Sequence, residues 1–226
     1  TAVTINWAVN EELQAAHSWT GNLGVAEQTE VAIGSYDFLD GNIYSVKAWT
    51  SMPNGQQDCN NYNDTISMNN LAVALCGDYT IGGNNPDFET FEAAVAALNS
   101  GGVSCAVTFW ARNGTYEETL ILSSIQGVSE DNTITFRSES GDSTQVIITS
   151  PGPGNFAIGI QNTSNIIFHQ LGFQTGGKNN AFSVFEQSQN ITISNNTFLS
   201  GNPTGVSISY SDNIHVYSNS FKNANS

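Results

Sequence analysis

Three nine-residue segments align without a gap: Asn165-Ile-Ile-Phe-His-Gln-Leu-Gly-Phe173, Asn190-Ile-Thr-Ile-Ser-Asn-Asn-Thr-Phe198 and Asn213-Ile-His-Val-Tyr-Ser-Asn-Ser-Phe221, with starts 25 and 23 residues apart. A near-constant period of that length is the mark of one solenoid coil, repeated. Within each copy Ile166/Ile191/Ile214 and Phe168/Ile193/Val216 fall on one face, while Ile167/Thr192/His215 fall on the other. Each copy therefore opens with a short strand that has one side inside. A second apolar position recurs as Phe173/Phe198/Phe221, and residues 181–185 and 205–209 supply a third strand. Three short strands per coil describe a parallel β-helix, in which successive coils lie about 4.8 Å apart and like residues form ladders. Asn165/Asn190/Asn213, and Asn196 above Asn219, fall at corners, where side-chain amides can pair along the stack and satisfy turn backbone.

Charge narrows the partners. Five Lys and Arg against twenty Asp and Glu give a net charge of −15, which repels nucleic acid and anionic lipid and favours cations as counter-ligands. No apolar run is long enough for a membrane helix, so neither nucleic-acid binding nor membrane insertion is expected. Few lysines and many acids suit an extracellular surface, and a secreted or cell-surface location is the expectation.

The cysteines are Cys59, Cys76 and Cys105, without the spacing of a zinc site. In a chain read as secreted, one disulfide plus one unpaired thiol is the simplest arrangement. Cys76 and Cys105 flank the predicted helix and are the expected pair; three buried free thiols are the alternative.

Ahead of the coils, residues 3–9, 17–20, 30–36, 44–50 and 65–68 read as five short, turn-separated antiparallel strands. A complete sandwich has about seven, so strands are expected to be missing before Thr1. The pattern Trp19-Thr-Gly-Asn-Leu23, Lys47-Ala-Trp-Thr-Ser-Met-Pro-Asn-Gly55 and Asp58-Cys-Asn-Asn-Tyr-Asn-Asp64 resembles the CARDB-like, immunoglobulin-type modules of large bacterial surface proteins. The resemblance implies a partial β-sandwich used as a spacer or binding module.

Phe88, Phe91, Val95 and Leu98 then recur at helical spacing, with Asp87 placed to cap, Glu89 and Glu92 in the first turn, and Gly101-Gly102 as the stop. A helix over 88–99 suits the need of a β-helix to cover its open apolar end. The run from Tyr79 to Val103, followed by Val107-Thr-Phe109 and Asn113-Gly-Thr-Tyr116, looks like the start of the right-handed β-helix domains in very large secreted proteins of gliding Gram-negative bacteria. That resemblance implies export by type IX secretion and display as an adhesin. The expected fold is thus all-β: a partial immunoglobulin-like sandwich over 1–72, a linker over 73–78, and a right-handed parallel β-helix with an N-terminal capping helix over 79–226, truncated after Ser226.

Candidate sites are sparse. Asp58, Asn60, Asn63 and Asp64 place oxygen ligands within one short stretch, as hard-cation loops do, although the spacing is not that of an EF-hand and turn-forming Asx residues account for it equally. Calcium is the only cofactor these residues suggest; no cofactor at all is the other reading. Thr65 and Ser143 stand in short sequences similar to the O-glycosylation signal of the same bacteria. None of Lys47, Arg112, Arg137, Lys178 and Lys222 stands on a regular coil beside an acidic cluster. Glu186, taken to stack on Ser209, lies about 11 Å from Asp212, too far for a hydrolytic pair. His17, His169 and His215 do not stack and read as solvent-facing.

These observations lead to a non-catalytic segment of a secreted adhesin or filament protein, a rigid spacer whose partners are extracellular polysaccharide or surface ligands, neighbouring domains of the same chain, and the secretion machinery. The alternative is a fragment of a carbohydrate-active β-helix enzyme, a polysaccharide lyase or hydrolase, with its catalytic coils beyond residue 226.

Overall fold

The computed structural model describes residues 1–57, 64–150, 156–174, 180–199 and 205–222. The chain divides into two compact units, Thr1–Val73 and Ala74–Ser226.

The first unit is one antiparallel sheet. Ala2–Val9 is central, paired with Ile43–Ser51 on one side and with Glu12–Leu13 and His17–Thr20 on the other, and Thr65–Ala72 forms the far edge. Trp7, Val9 and Tyr44 are its buried centre. The expected sandwich is corrected here, because residues 30–36 form no strand and no second sheet stands among the described residues. Instead Ile33 and Tyr36 lay their side chains on the Trp7–Tyr44 cluster without joining a ladder.

The second unit is a stack of coils in which every strand pairs in parallel with the next coil. The first sheet runs Leu75–Ile81, Val103–Ala111, Ile134–Ser138, Ser164–His169, Gln189–Ser194, Asp212–Tyr217. The second contains Gly114–Glu117, Val146–Thr149, Gly172–Gln174, Thr197–Leu199 and Ser220–Lys222, and the third contains Leu120–Ser123, Phe156–Gln161, Asn180–Phe185 and Val206–Ile208. Regular stacking thus begins at Leu75, well before Asn165, and the expected linker over 73–78 is mostly the first strand: Leu75 is fully buried and pairs with Val103.

The ladders are those the repeat demands. Val107, Ile134, Ile166, Ile191 and Ile214 are in register, as are Phe109, Phe136, Phe168, Ile193 and Val216. The rings of Phe109 and Phe136 stack at 4.7 Å and those of Phe136 and Phe168 at 5.1 Å. Each fully buried Phe contributes about 2 to 3 kcal/mol of apolar transfer.

The corners turn through the left-handed region. Asn165, Asn190 and Asn213 have φ of 58°, 54° and 55°, a conformation asparagine tolerates better than most residues. Their amides form a chain along the stack, Asn190 Nδ2 donating to Asn165 Oδ1 at 3.1 Å and Asn213 Nδ2 to Asn190 Oδ1.

The helix is Phe91–Gly101, three residues later than the predicted start. Thr90, not Asp87, caps it, its hydroxyl accepting the Ala93 N–H at 3.0 Å. Asp87 is engaged elsewhere, accepting from the Thr80 N–H and hydroxyl, each at 2.7 Å. Phe91, Ala94, Val95 and Leu98 join the apolar cluster of the coils, and Asn99 clamps the helix end by donating to Ile121 O at 2.7 Å and accepting from Ser123 N at 3.0 Å. Cys76 and Cys105 form a disulfide, Cα atoms 4.8 Å apart, across the first two strands of the first sheet.

Candidate functional site

Because strand side chains alternate, each inward ladder of the first sheet has an outward counterpart. One outward row reads Thr80, Trp110, Arg137, His169, Ser194, Tyr217, in register across six coils. Successive members are about 4.8 Å apart along the stack, so an aromatic ring, a guanidinium, an imidazole and a second aromatic ring succeed one another along a nearly straight line.

Arg137 is the centre of this row. Its guanidinium carbon lies 4.5 Å from the centroid of the Trp110 ring, and Nη2 donates to Gln170 Oε1 at 3.1 Å. Its Nε is buried and has no acceptor. No carboxylate pairs with it among the described residues, where the ion pair joins Arg112 to Glu139 at 3.5 Å. In a chain of charge −15, a half-buried arginine without such a partner is unusual. Arg137 stands on a coil, but no acidic cluster lies beside it among the described residues.

His169 shares a hydrogen bond between Nδ1 and the Ser194 hydroxyl at 3.1 Å. Partial burial, and then the Arg137 charge, pushes its pKa below the ordinary histidine value, so the ring is neutral at pH 7 and offers one donor and one acceptor. It is half-buried within the row, not the freely solvated histidine expected from sequence. Tyr217, at the far end, is 54% exposed. Chemically, the row presents two aromatic rings, a cation with an unfilled donor, and neutral hydrogen-bonding groups. It contains no nucleophile–base–acid set, and Ser194 is buried.

The other sequence candidates lie apart from it. Asp58, Asn60 and Asn63, like Cys59 and Lys178, fall outside the described residues. Asp64 lines a shallow depression of about 300 Å³ with Trp49, Gln57 and Thr65, and no group of three or more His, Cys, Asp or Glu among the described residues could hold a metal ion. Thr65 is exposed on the edge strand of the first unit. Ser143 is half-buried, its hydroxyl bonded to that of Thr197 at 2.8 Å. His17 pairs with Ile5 in the antiparallel sheet and His215 with Thr192 in a different outward row. Arg112 is occupied by the Asn84 carbonyl at 2.6 Å besides Glu139. The register pairs Val184 with Ile208, and Gln187 N–H donates to Tyr210 O at 2.7 Å, so Glu186 lies over Tyr210 and not, as expected, over Ser209.

No protein-family profile matches the chain, and no curated protein matches it. Among solved structures it is similar to the pectin methylesterase from Aspergillus niger in deglycosylated form, at 14% identity and a TM-score of 0.40, over 68% of this chain and 60% of that one. The chain thus spans less than two thirds of that enzyme's length. The reading of a non-catalytic adhesin segment is corrected to this extent: none of the comparisons returns an adhesin.

Proposed function

We propose that the chain is part of a secreted, carbohydrate-active parallel β-helix protein, and that the Trp110–Arg137–His169–Tyr217 row is the strip on which an acidic polysaccharide lies. The observation that carries this is Arg137, its guanidinium over the Trp110 ring with no carboxylate paired to it among the described residues. A sugar carboxylate is the anionic partner that this guanidinium lacks, and charge-assisted bonds of this kind are the strong ones. The aromatic rings offer apolar faces to pyranose rings, while Gln170 and neutral His169 offer hydrogen bonds to hydroxyls. A straight row across stacked coils suits an extended polymer better than a compact metabolite.

In this reading the described coils bind substrate, and the helix Phe91–Gly101 caps the apolar end of the stack. Residues 1–72, folded as one antiparallel sheet among the described residues, are an accessory to it. The test is titration calorimetry with hexagalacturonate and a neutral hexasaccharide, together with turnover assays on polygalacturonate and methyl-esterified pectin. Saturable binding of the acidic probe, weakened about tenfold or more by Arg137→Ala, supports the proposal. Equal binding of both probes, or no effect of that substitution, rejects it.

A further inference from the structure

A second surface, on another corner of the same coils, has different chemistry. Where the third strand of a coil turns into the next first strand, Asn162, Glu186, Gln187 and Tyr210 line a cavity of about 440 Å³. Glu186 and Tyr210 also form one wall of an adjoining cavity of about 390 Å³, whose lining includes Phe185 and Ser209. Two connected clefts thus share one acidic and one aromatic wall. This corner is separated from the Arg137 row by the length of a first-sheet strand, about 16 Å for Gln189–Ser194.

Asn162 is held by the fold, its Nδ2 donating to the Ser124 hydroxyl at 3.0 Å, whereas the side chains of Glu186, Gln187 and Tyr210 have no hydrogen-bond partner among the described residues. Tyr210 is 90% exposed, and its hydroxyl has no partner among the described residues. Glu186 is exposed, has no ion pair among the described residues, and contributes to the stack through its backbone carbonyl, which accepts the Asn162 N–H at 2.8 Å. Asn162, Glu186, Gln187 and Tyr210 all adopt positive φ, at 47°, 53°, 60° and 48°. Positive φ elsewhere in these coils is found at Asn165, Asn190, Asn195 and Asn213, and also at Ser124, Gln170 and Ser218.

We propose that this corner is a binding subsite for a neutral oligosaccharide. The Tyr210 ring is a platform for a pyranose face. Glu186, with acceptors only, takes two vicinal hydroxyls, while the Asn162 and Gln187 amides and the Ser209 hydroxyl complete a set suited to polyols. The only charged lining residue among the described residues is Glu186, which disfavours a uronate; one carboxylate is too few for a hard cation, which needs six or more oxygens.

The experiment is NMR or calorimetric titration of the whole chain with xylohexaose, cellohexaose and galactohexaose, and separately with hexagalacturonate. The expected result is saturable binding of at least one neutral probe, lost about tenfold or more in Tyr210→Ala and in Glu186→Ala, retained within about threefold in Tyr210→Phe, and unchanged in Arg137→Ala. Failure of all three neutral probes to bind, or binding indifferent to Tyr210→Ala, overturns the proposal. So does equal competition by hexagalacturonate or by an unrelated peptide. Because the acidic strip is read through Arg137 and this subsite through Tyr210, either can fail while the other stands.

Discussion

The side-chain oxygen of Asn196 accepts the Leu171 N–H at 2.9 Å, while its amide nitrogen donates to Phe168 O at 3.0 Å. One coil above, Asn219 repeats the arrangement, accepting the Asn196 N–H at 2.9 Å and donating to Ile193 O at 2.8 Å. Asn196 is 1% exposed, so it replaces water for two backbone groups that the corner leaves without a ladder partner. Asn196→Leu would strand both and place an alkyl group against them. The expected loss is about 2 to 4 kcal/mol, read as a fall in the urea midpoint. Asn196→Ser should fall between, since a hydroxyl can answer one group but does not span both.

The Cys76–Cys105 bridge closes a loop with a sequence separation of 29, enclosing the whole helix. In the chain-entropy view a loop of that size stabilises by about 3.6 kcal/mol. The double variant Cys76→Ser, Cys105→Ser should therefore lower the denaturation midpoint, and reductant should lower that of the native chain to the same value while leaving the variant unmoved. A midpoint insensitive to reductant would show that the coils hold the loop closed without the bond.

Much of this fold is legible in the residues because a parallel stack writes its period directly into the chain. Asn165, Asn190 and Asn213 give the coil length, and Ile166 and Phe168 give the inward face. The earlier coils are harder to see, because the intervals joining Val107 to Ile134 and Ile134 to Ile166 are longer and unequal; no gap-free alignment puts Trp110, Arg137 and His169 in one column. Once Phe136 is placed over Phe109, the outward neighbours Arg137 and Trp110 follow. The sandwich fails for another reason: apolar residues such as Ile33 and Tyr36 report burial, and burial against Trp7 and Tyr44 does not require a ladder. Helix propensity places the helix well but not its cap, since Asp87 and Thr90 are both good caps and only tertiary contact shows that Thr80 takes Asp87.

Glu118 is buried, and its carboxylate accepts the Glu92 N–H at the start of the helix at 2.6 Å. Burial pushes its pKa above the ordinary glutamate value, and the bonds from the Glu92 and Phe91 N–H groups only partly offset this. With the folded pKa above the unfolded one, the native state binds the proton more tightly. Below the unfolded value both states are protonated and the full benefit of proton binding is present. As pH rises through the folded value that benefit is lost, and the charged group costs stability. Glu118→Gln should therefore have little effect near pH 4 and become relatively stabilising towards pH 8, measured by denaturant midpoints at matched ionic strength. A difference that is constant with pH would place the whole effect in packing.

His169 gives the candidate strip its own pH signature. Burial and then Arg137 hold its pKa below the usual histidine value, so protonation costs more in the folded, unliganded protein than in the unfolded chain. For stability, this contribution is present above the unfolded value and is lost as pH falls through the folded one. A bound sugar carboxylate reverses the local field: it neutralises Arg137 and attracts the imidazolium, so binding and protonation of His169 become mutually favourable. Affinity for hexagalacturonate should accordingly rise as pH falls below the usual histidine value, until the sugar carboxyl itself takes up protons. His169→Gln should flatten that rise while keeping binding at pH 8, and Arg137→Lys should weaken binding at every pH because a point charge neither stacks on Trp110 nor forks to a carboxylate. Calorimetry in two buffers of different ionisation enthalpy checks the linkage directly, since net proton uptake on binding should be seen in the native chain and be absent in His169→Gln.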